Sequence, residues 1–298
     1  MSPGAALIRA MRPHEWVKNL LVFAGLLFSG KLDQGAQVVD ATLAFAAFCA
    51  ISSAGYLFND LRDRELDRRH PDKRNRPIAS GALAEGAATV AAIVLVGVAL
   101  ALGFAVEPAV AGLVGLYAVT TAAYSVVLKR LVILDVMTIA SLFVLRVVAG
   151  AVAVEAQASE YLVVCTAMLA LFLGFTKRRQ EAILEEQPAG SVASVPEAAP
   201  TRPVLEHYSL SFLDQMIAMV TAAAIISYVI YAINSPRVGS EMLATAPSVL
   251  YGIFRYLYLV YDRRDTRSTA AILTEDPGMI FAGVSWIAAA LGVLYVFD

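Results

Sequence analysis

The sequence predicts an all-α polytopic membrane protein of about nine transmembrane helices, and three observations carry that prediction. Hydrophobic residues fill 59% of the 298 positions and charged residues only 16%, against roughly 25% charged in a typical soluble domain. Apolar stretches able to cross about 30 Å of hydrocarbon, at roughly 20 residues each, recur near 17–33, 39–59, 86–104, 108–126, 132–153, 160–176, 212–233, 242–260 and 279–297. The basic residues alternate with these stretches as cytoplasmic connections require.

Taken in order, Arg9 and Arg12 precede the first span and Lys18 lies at its start, and Trp16 beside them suits an interface. No A-x-A pattern ends that span, so it reads as a retained helix rather than a signal peptide. Lys31 is the only cation in the next connection. Arg62, Arg64, Arg68, Arg69, Lys73, Arg74 and Arg76 follow the second span, Lys129 and Arg130 the fourth, and Lys177, Arg178, Arg179 and Arg202 the sixth. Arg255, Arg263, Arg264 and Arg267 lie at the end of the eighth, while Arg237 falls on the opposite side. This sorting predicts a cytoplasmic N-terminus, an extracytoplasmic C-terminus and a plasma-membrane location. The chain reads as one transmembrane domain over 1–298, with a Pro-, Ala- and Glu-rich cytoplasmic loop at 181–210 that looks like a mobile cover. The net charge of −2 gives no reason to expect nucleic acid as a partner. Cys49 and Cys165 both fall inside spans and offer no disulfide or zinc framework.

The residues able to do chemistry concentrate in NDLRDRELDRRHPDKRNRPIASG, 59–81. If the second span continues as a helix at 100° per residue, Asn59, Asp63, Asp67 and Asp60 fall at about 0°, 40°, 80° and 100°. Like charges so placed repel by a few tenths of a kcal/mol per pair, so a positive partner is expected. Magnesium suits it, because Mg²⁺ takes one or two carboxylates plus substrate phosphates. These four residues are therefore the candidate metal ligands, with Asp60, Asp63 and Asp67 the candidate catalytic residues. Lys73, Arg74 and Arg76 follow in a stretch too rich in Pro and Gly to stay helical, and could grip phosphate oxygens. A solvated acidic helix end and a topological excess of cations are the plainer alternatives. Asp72 reads as a loop residue.

NDLRDRELD with RPIASG resembles the first aspartate motif of the UbiA superfamily of intramembrane prenyltransferases, and YSVVLKR at 124–130 resembles its second cytoplasmic signature. The resemblance covers the whole chain and implies a UbiA-like bundle with a cytoplasm-facing cavity that binds a diphosphate through magnesium. Where the family usually carries a second acidic motif after the sixth span, this chain reads FTKRRQE, 175–181. Cations in place of carboxylates imply a direct anion site and a second phosphate group. With MRPHEWVKNLLVF at the start and FRYLYLVY at 254–261, the chain is similar to the decaprenyl-phosphate phosphoribosyltransferase branch. That likeness implies transfer of phosphoribosyl from phosphoribosyl diphosphate to a polyprenyl phosphate, releasing pyrophosphate, for the arabinose precursor of actinobacterial cell walls. Lys18, Tyr124, Lys129, Arg130, Lys177, Arg178, Arg255 and Tyr256 join Asn59, Lys73 and Arg76 as expected substrate contacts, Arg179 is left as topological, and a homo-oligomer is left open.

The expected acceptor is already anionic, so His14, His70 and His207, the only histidines, are not needed for proton transfer. Arg146 lies 11 residues beyond Asp135, about 16 Å deeper. It is either a polar floor to the cavity or a clamp on carbonyls of a neighbouring helix, and Asp135 is expected to pair with Lys129 or Arg130. The first rival function is a prenyltransferase using a polyprenyl diphosphate and an aromatic acceptor. A secondary transporter would need coupling groups near the midplane, where only Arg146 is expected. A phosphatidyltransferase of the CDP-alcohol type lacks its D-G-x-x-A-R core here.

Overall fold

The computed structural model describes residues 2–69, 73–186, 203–235, 237–263, 265, 267 and 269–295. His70, Asp72, Arg202 and most of the predicted cover at 181–210 lie outside them. The described chain forms α1 (Pro3–Met11), α2 (Ala24–Ser29), α3 (Gly35–Arg69), α4 (Glu85–Val106), α5 (Pro108–Val126) and α6 (Leu134–Ala153). It continues with α7 (Glu160–Glu186), α8 (Leu210–Ile233), α9 (Ala246–Tyr261), α10 (Thr269–Glu275) and α11 (Pro277–Tyr295). Eight helical stretches among the described residues are long and apolar enough to cross a bilayer, and the protein is a multi-pass membrane protein. Exposed Val90, Ile93, Val94 and Val98 on α4 are what a lipid-facing helix presents when all its sides are apolar.

The first expected crossing has a different form. Pro13–Phe23 is a 3₁₀ helix of 11 residues that runs into the six-residue α2. At about 2.0 Å per residue for 3₁₀ and 1.5 Å for α geometry, the two reach roughly 31 Å, enough for the hydrocarbon core. So long a 3₁₀ run is uncommon, and two features of the packing accompany it here. A methyl built on Gly25 would stand 2.6 Å from the backbone of Ala151 on α6, and one on Gly150 would overlap the carbonyl of Val22. The two backbones therefore touch directly, as small residues allow between membrane helices.

The second feature is Arg146, which is 4% exposed. Its Nε donates to Asn19 Oδ1 at 2.7 Å, one terminal nitrogen to Leu142 O at 2.8 Å, and the other to the Tyr117 hydroxyl at 2.7 Å. Asn19 in turn donates to Ser52 Oγ and Cys49 Sγ, both at 3.3 Å. Arg146 does clamp neighbouring elements, but through the side chains of Asn19 and Tyr117, and the one carbonyl it bonds, Leu142 O, belongs to its own helix rather than to a neighbour. The guanidinium ties the 3₁₀ segment, α3, α5 and α6 together. Asn19→Leu should leave Nε without its acceptor, and a buried charged donor stranded in this way costs at least about 2 kcal/mol. Thermal unfolding of the purified protein should show the loss, and an unchanged midpoint would mean the clamp contributes nothing.

Helix α3 positions the site. Its 35 residues span about 52 Å, more than the hydrocarbon needs, so its last turns project beyond the membrane. The segment after it turns back sharply. Leu83 N bonds Pro77 O, Arg68 Nε bonds Ala79 O, and Ile78 packs with Leu57, Ala6 and Ala10. This return brings Arg76 against α3.

Candidate active site

The predicted acidic face exists on one continuous helix, and every carboxylate on it has a cationic partner. Arg12 grips Asp60 through one nitrogen at 2.6 and 2.9 Å, and Arg76 bridges Asp60 at 3.2 Å and Asp67 at 2.7 Å. Lys129 Nζ reaches both oxygens of Asp63, at 2.8 and 2.7 Å, and Asn59 Oδ1 at 3.4 Å. Among the described residues no three carboxylates converge closely enough to hold one ion, so the expected four-ligand face divides in two. Asp60 and Asp67 are 2% and 4% exposed and are joined by Arg76. Asn59 and Asp63 form a more open oxygen pair, with Asp63 22% exposed. The reason is the helix itself: Asp60 falls about 100° from Asn59, on the side that meets Arg12. Lys73 lies within electrostatic reach of Asp67.

The oxygen pair fits a hard cation. Asn59 Oδ1 and Asp63 offer oxygen donors only, and the ammonium of Lys129 already sits on them as a monovalent stand-in. Such a pair suits Mg²⁺ completed by substrate phosphates and water.

A second cationic set lies beside the first. Lys18 pairs with Glu15 on the 3₁₀ segment, and Lys177 on α7 is within electrostatic reach of the same carboxylate. Glu15 also lies near Tyr56, whose ring carries the Arg12 guanidinium at 4.9 Å. Tyr56 precedes Asn59 by less than a turn, so α3 links the two sets.

Several of the expected contacts are engaged by other protein groups. Arg178 is 1% exposed, with Nε on Asp135 at 2.6 Å, one terminal nitrogen on Glu181 and the other 3.3 Å from the Tyr124 hydroxyl. Asp135 therefore pairs with Arg178 and not, as expected, with Lys129 or Arg130. It sits at the start of α6, facing α7, whereas Lys129 turns toward α3. Tyr256 is 1% exposed, with its ring edge-on to Phe172 at 5.6 Å, which puts it in the core rather than facing a substrate. Arg255 is held bidentately by Asp276 at 3.1 and 2.9 Å. Arg179 bonds Asp214 at 2.6 Å and lies 3.8 Å over the Tyr261 ring, tying α7 to α8 and α9. Arg130 is exposed at the turn after α5.

Hydrogen bonds from Arg255 hold the Asp276 carboxyl below its ordinary range. A depressed folded value contributes stability above the unfolded pKa, near 4, that is lost as pH falls through the folded one. Acid unfolding of Asp276→Asn should thus be less steep below about pH 4 than that of the wild type. Superimposable acid limbs would count against the pair.

Three residues of the site escaped the sequence. Arg12 and Glu15 lie within MRPHEWVKNLLVF but were not singled out there, and Tyr208 lies within the stretch 181–210 that promised only a loop. Tyr208 donates to Asp135 Oδ1 at 2.7 Å and accepts the Ile133 amide at 2.7 Å. Burial and then the bond to Asp135 push its phenol above the ordinary range. Ile133 has φ +69° and ψ −47°, and Leu134 N bonds Val132 O at 2.8 Å across it. This is a γ-turn of the rare, strained hand, and on a β-branched residue it costs roughly 1–3 kcal/mol.

Fold and site together define an intramembrane helical bundle with an acidic helix face under a cap of cations. The UbiA prenyltransferase family model matches residues 19–282, and the chain belongs to that family. It is 29% identical to the decaprenyl-phosphate phosphoribosyltransferase of Corynebacterium glutamicum, covering 97% of this chain and 87% of that one. The enzyme of the same name from Mycolicibacterium smegmatis is 32% identical, covering 81% and 74%. Among solved structures, a UbiA homolog from Archaeoglobus fulgidus bound to GPP and Mg²⁺ shares the fold, with a TM-score of 0.74 at 18% identity over 97% of this chain and 99% of that one.

Proposed function

We propose that this protein is a magnesium-dependent transferase that moves a 5-phosphoribosyl group from phosphoribosyl diphosphate to a polyprenyl phosphate, decaprenyl in the relatives' name, and releases pyrophosphate. The product would supply an arabinose precursor for a cell wall. The observation that carries this reading is the likeness to two decaprenyl-phosphate phosphoribosyltransferases, over 97% of this chain for one and 81% for the other. Lys177, standing where the family's second acidic motif is expected, agrees with it, whereas Arg178 and Arg179 of the same run are taken by Asp135, Glu181 and Asp214. The sorting of basic residues supports a cytoplasmic site, with the N-terminus inside and the C-terminus outside.

Asn59 Oδ1 and Asp63 would hold the Mg²⁺, whose charge would stabilise the leaving diphosphate. Lys129, beside the same oxygens, is available to donate to a diphosphate oxygen as well. Lys18 and Lys177, drawn together by Glu15, would hold the other phosphate. The acceptor phosphate has its second pKa near 6 and is anionic at neutral pH. One of its oxygens forms the new bond to the anomeric carbon, while the bond from that carbon to the diphosphate oxygen breaks and its electron pair leaves with pyrophosphate. No protein base has to take a proton, in keeping with a cluster built from carboxylates, amines and guanidinia. Orientation and electrostatics then carry the rate. Arg12 and Arg76 hold Asp60 and Asp67 and so keep α3 rigid under the substrate.

Purified protein supplied with Mg²⁺, phosphoribosyl diphosphate and a polyprenyl phosphate should release pyrophosphate and phosphoribosylated lipid in equal amounts. Silence with that pair, together with turnover of a polyprenyl diphosphate and an aromatic acid, would replace this reading with the ordinary prenyltransferase one.

A further inference from the structure

We infer that Tyr208 is a positioning residue, whose hydroxyl holds the strained turn at Ile133 so that Lys129 stays on the Asn59–Asp63 oxygen pair where the diphosphate binds. The inference rests on the functional reading above for the identity of that diphosphate. Three observations support it.

The first is the strain. A γ-turn of this hand is not a conformation that isoleucine adopts for its own sake, and the Ile133 side chain is 41% exposed, so core packing does not impose it. Something else must hold the backbone there. The second is the partner. The hydroxyl that accepts the Ile133 amide also donates to Asp135, which the buried Arg178 fixes from its other oxygen. Tyr208 thus anchors the turn to an ion pair that is almost wholly buried, with Arg178 1% and Asp135 0% exposed. The third is what the turn carries. Lys129 lies four residues before Ile133, on the 3₁₀ turn Leu128–Arg130 that leads directly into it, and is the only link from this segment to Asp63 among the described residues. If the turn relaxes, Lys129 no longer arrives at the same point. Tyr208 touches neither the oxygen pair nor Lys129, so its effect must pass through the backbone.

The test compares full-length wild type, Tyr208→Phe and the double variant Tyr208→Phe/Ile133→Gly. The phenylalanine ring keeps the stacking on Phe212, whose centroid lies 6.0 Å away, so the single variant should unfold within a few degrees of wild type. Of the two hydrogen bonds it loses, the one from the Ile133 amide holds the turn, and its kcat/KM for phosphoribosyl diphosphate should fall about tenfold, the usual size for loss of one such bond. KM for the polyprenyl phosphate should stay within twofold. Glycine accepts positive φ without strain, so the double variant no longer needs the hydroxyl and should regain most of the loss. A purely structural tyrosine would give equal changes in both substrates and no recovery, and either result overturns the inference, as does wild-type kinetics in Tyr208→Phe. Binding of inorganic pyrophosphate with Mg²⁺ is measured on the same three proteins. A chain that transfers no phosphoribosyl group refutes the functional reading. The pyrophosphate series, weakened about tenfold by Tyr208→Phe and recovered in the double variant, still decides the role of Tyr208.

Discussion

Asp63→Asn is expected to lower turnover at least about 100-fold while leaving the bundle folded, a loss typical of removing one preorganised electrostatic group. Asp63 provides the only full negative charge in the open oxygen pair, and both its oxygens face Lys129. An amide of the same shape keeps the packing but cannot balance the ammonium or a divalent ion. The neighbouring Asp60→Asn should behave differently. Asp60 is buried under Arg12 and Arg76, so its loss falls on stability, by roughly 1–3 kcal/mol once the partial exposure of both arginines is allowed for. Kinetics and thermal unfolding run side by side on the two variants separate the roles. Retained turnover in Asp63→Asn would remove that carboxylate from the chemistry.

Gly150→Ala is expected to have the largest effect on folding, at least about 3 kcal/mol, because a methyl there meets the carbonyl of Val22 and no side chain can move aside. Relief requires α6 to withdraw from the 3₁₀ segment, which would also strip Asn19 from Arg146 and shift Lys18 from its place beside Lys177. Gly112→Ala is the control. Nothing stands within 4 Å of a methyl at that position on α5, so alanine should be neutral or stabilising by up to about 1 kcal/mol. Yields of folded protein and unfolding midpoints in detergent check both, and a well-folded Gly150→Ala would mean that the two backbones need not touch.

The spans and the acidic face were legible in the sequence because both depend on period and length alone. Twenty apolar residues suffice for a crossing, and the spacing of Asn59 and Asp63 places them on one side of any helix. The first crossing was legible as apolar but not as 3₁₀, since its geometry follows from Gly25, Gly150 and Arg146, which lie far apart in the chain. Basic residues were the least legible. Their sign gives topology, yet Arg178, Arg179 and Arg255 turn out to face carboxylates on neighbouring elements, and Arg12 to cap Asp60. Which cation stays open to a ligand depends on partners that only the packing of α5 to α9 brings near. Tyr208 belongs with these: its value lies in the strained backbone of Ile133, and strain leaves no mark on composition or spacing.

Manganese soaked with phosphoribosyl diphosphate into the purified protein, and located by its anomalous scattering, tests the central arrangement most directly. The ion should lie between Asn59 Oδ1 and Asp63, with Lys129 turned onto the diphosphate and Lys18 and Lys177 facing the same hollow. Metal bound away from α3, with Lys129 still seated on Asp63, would contradict it.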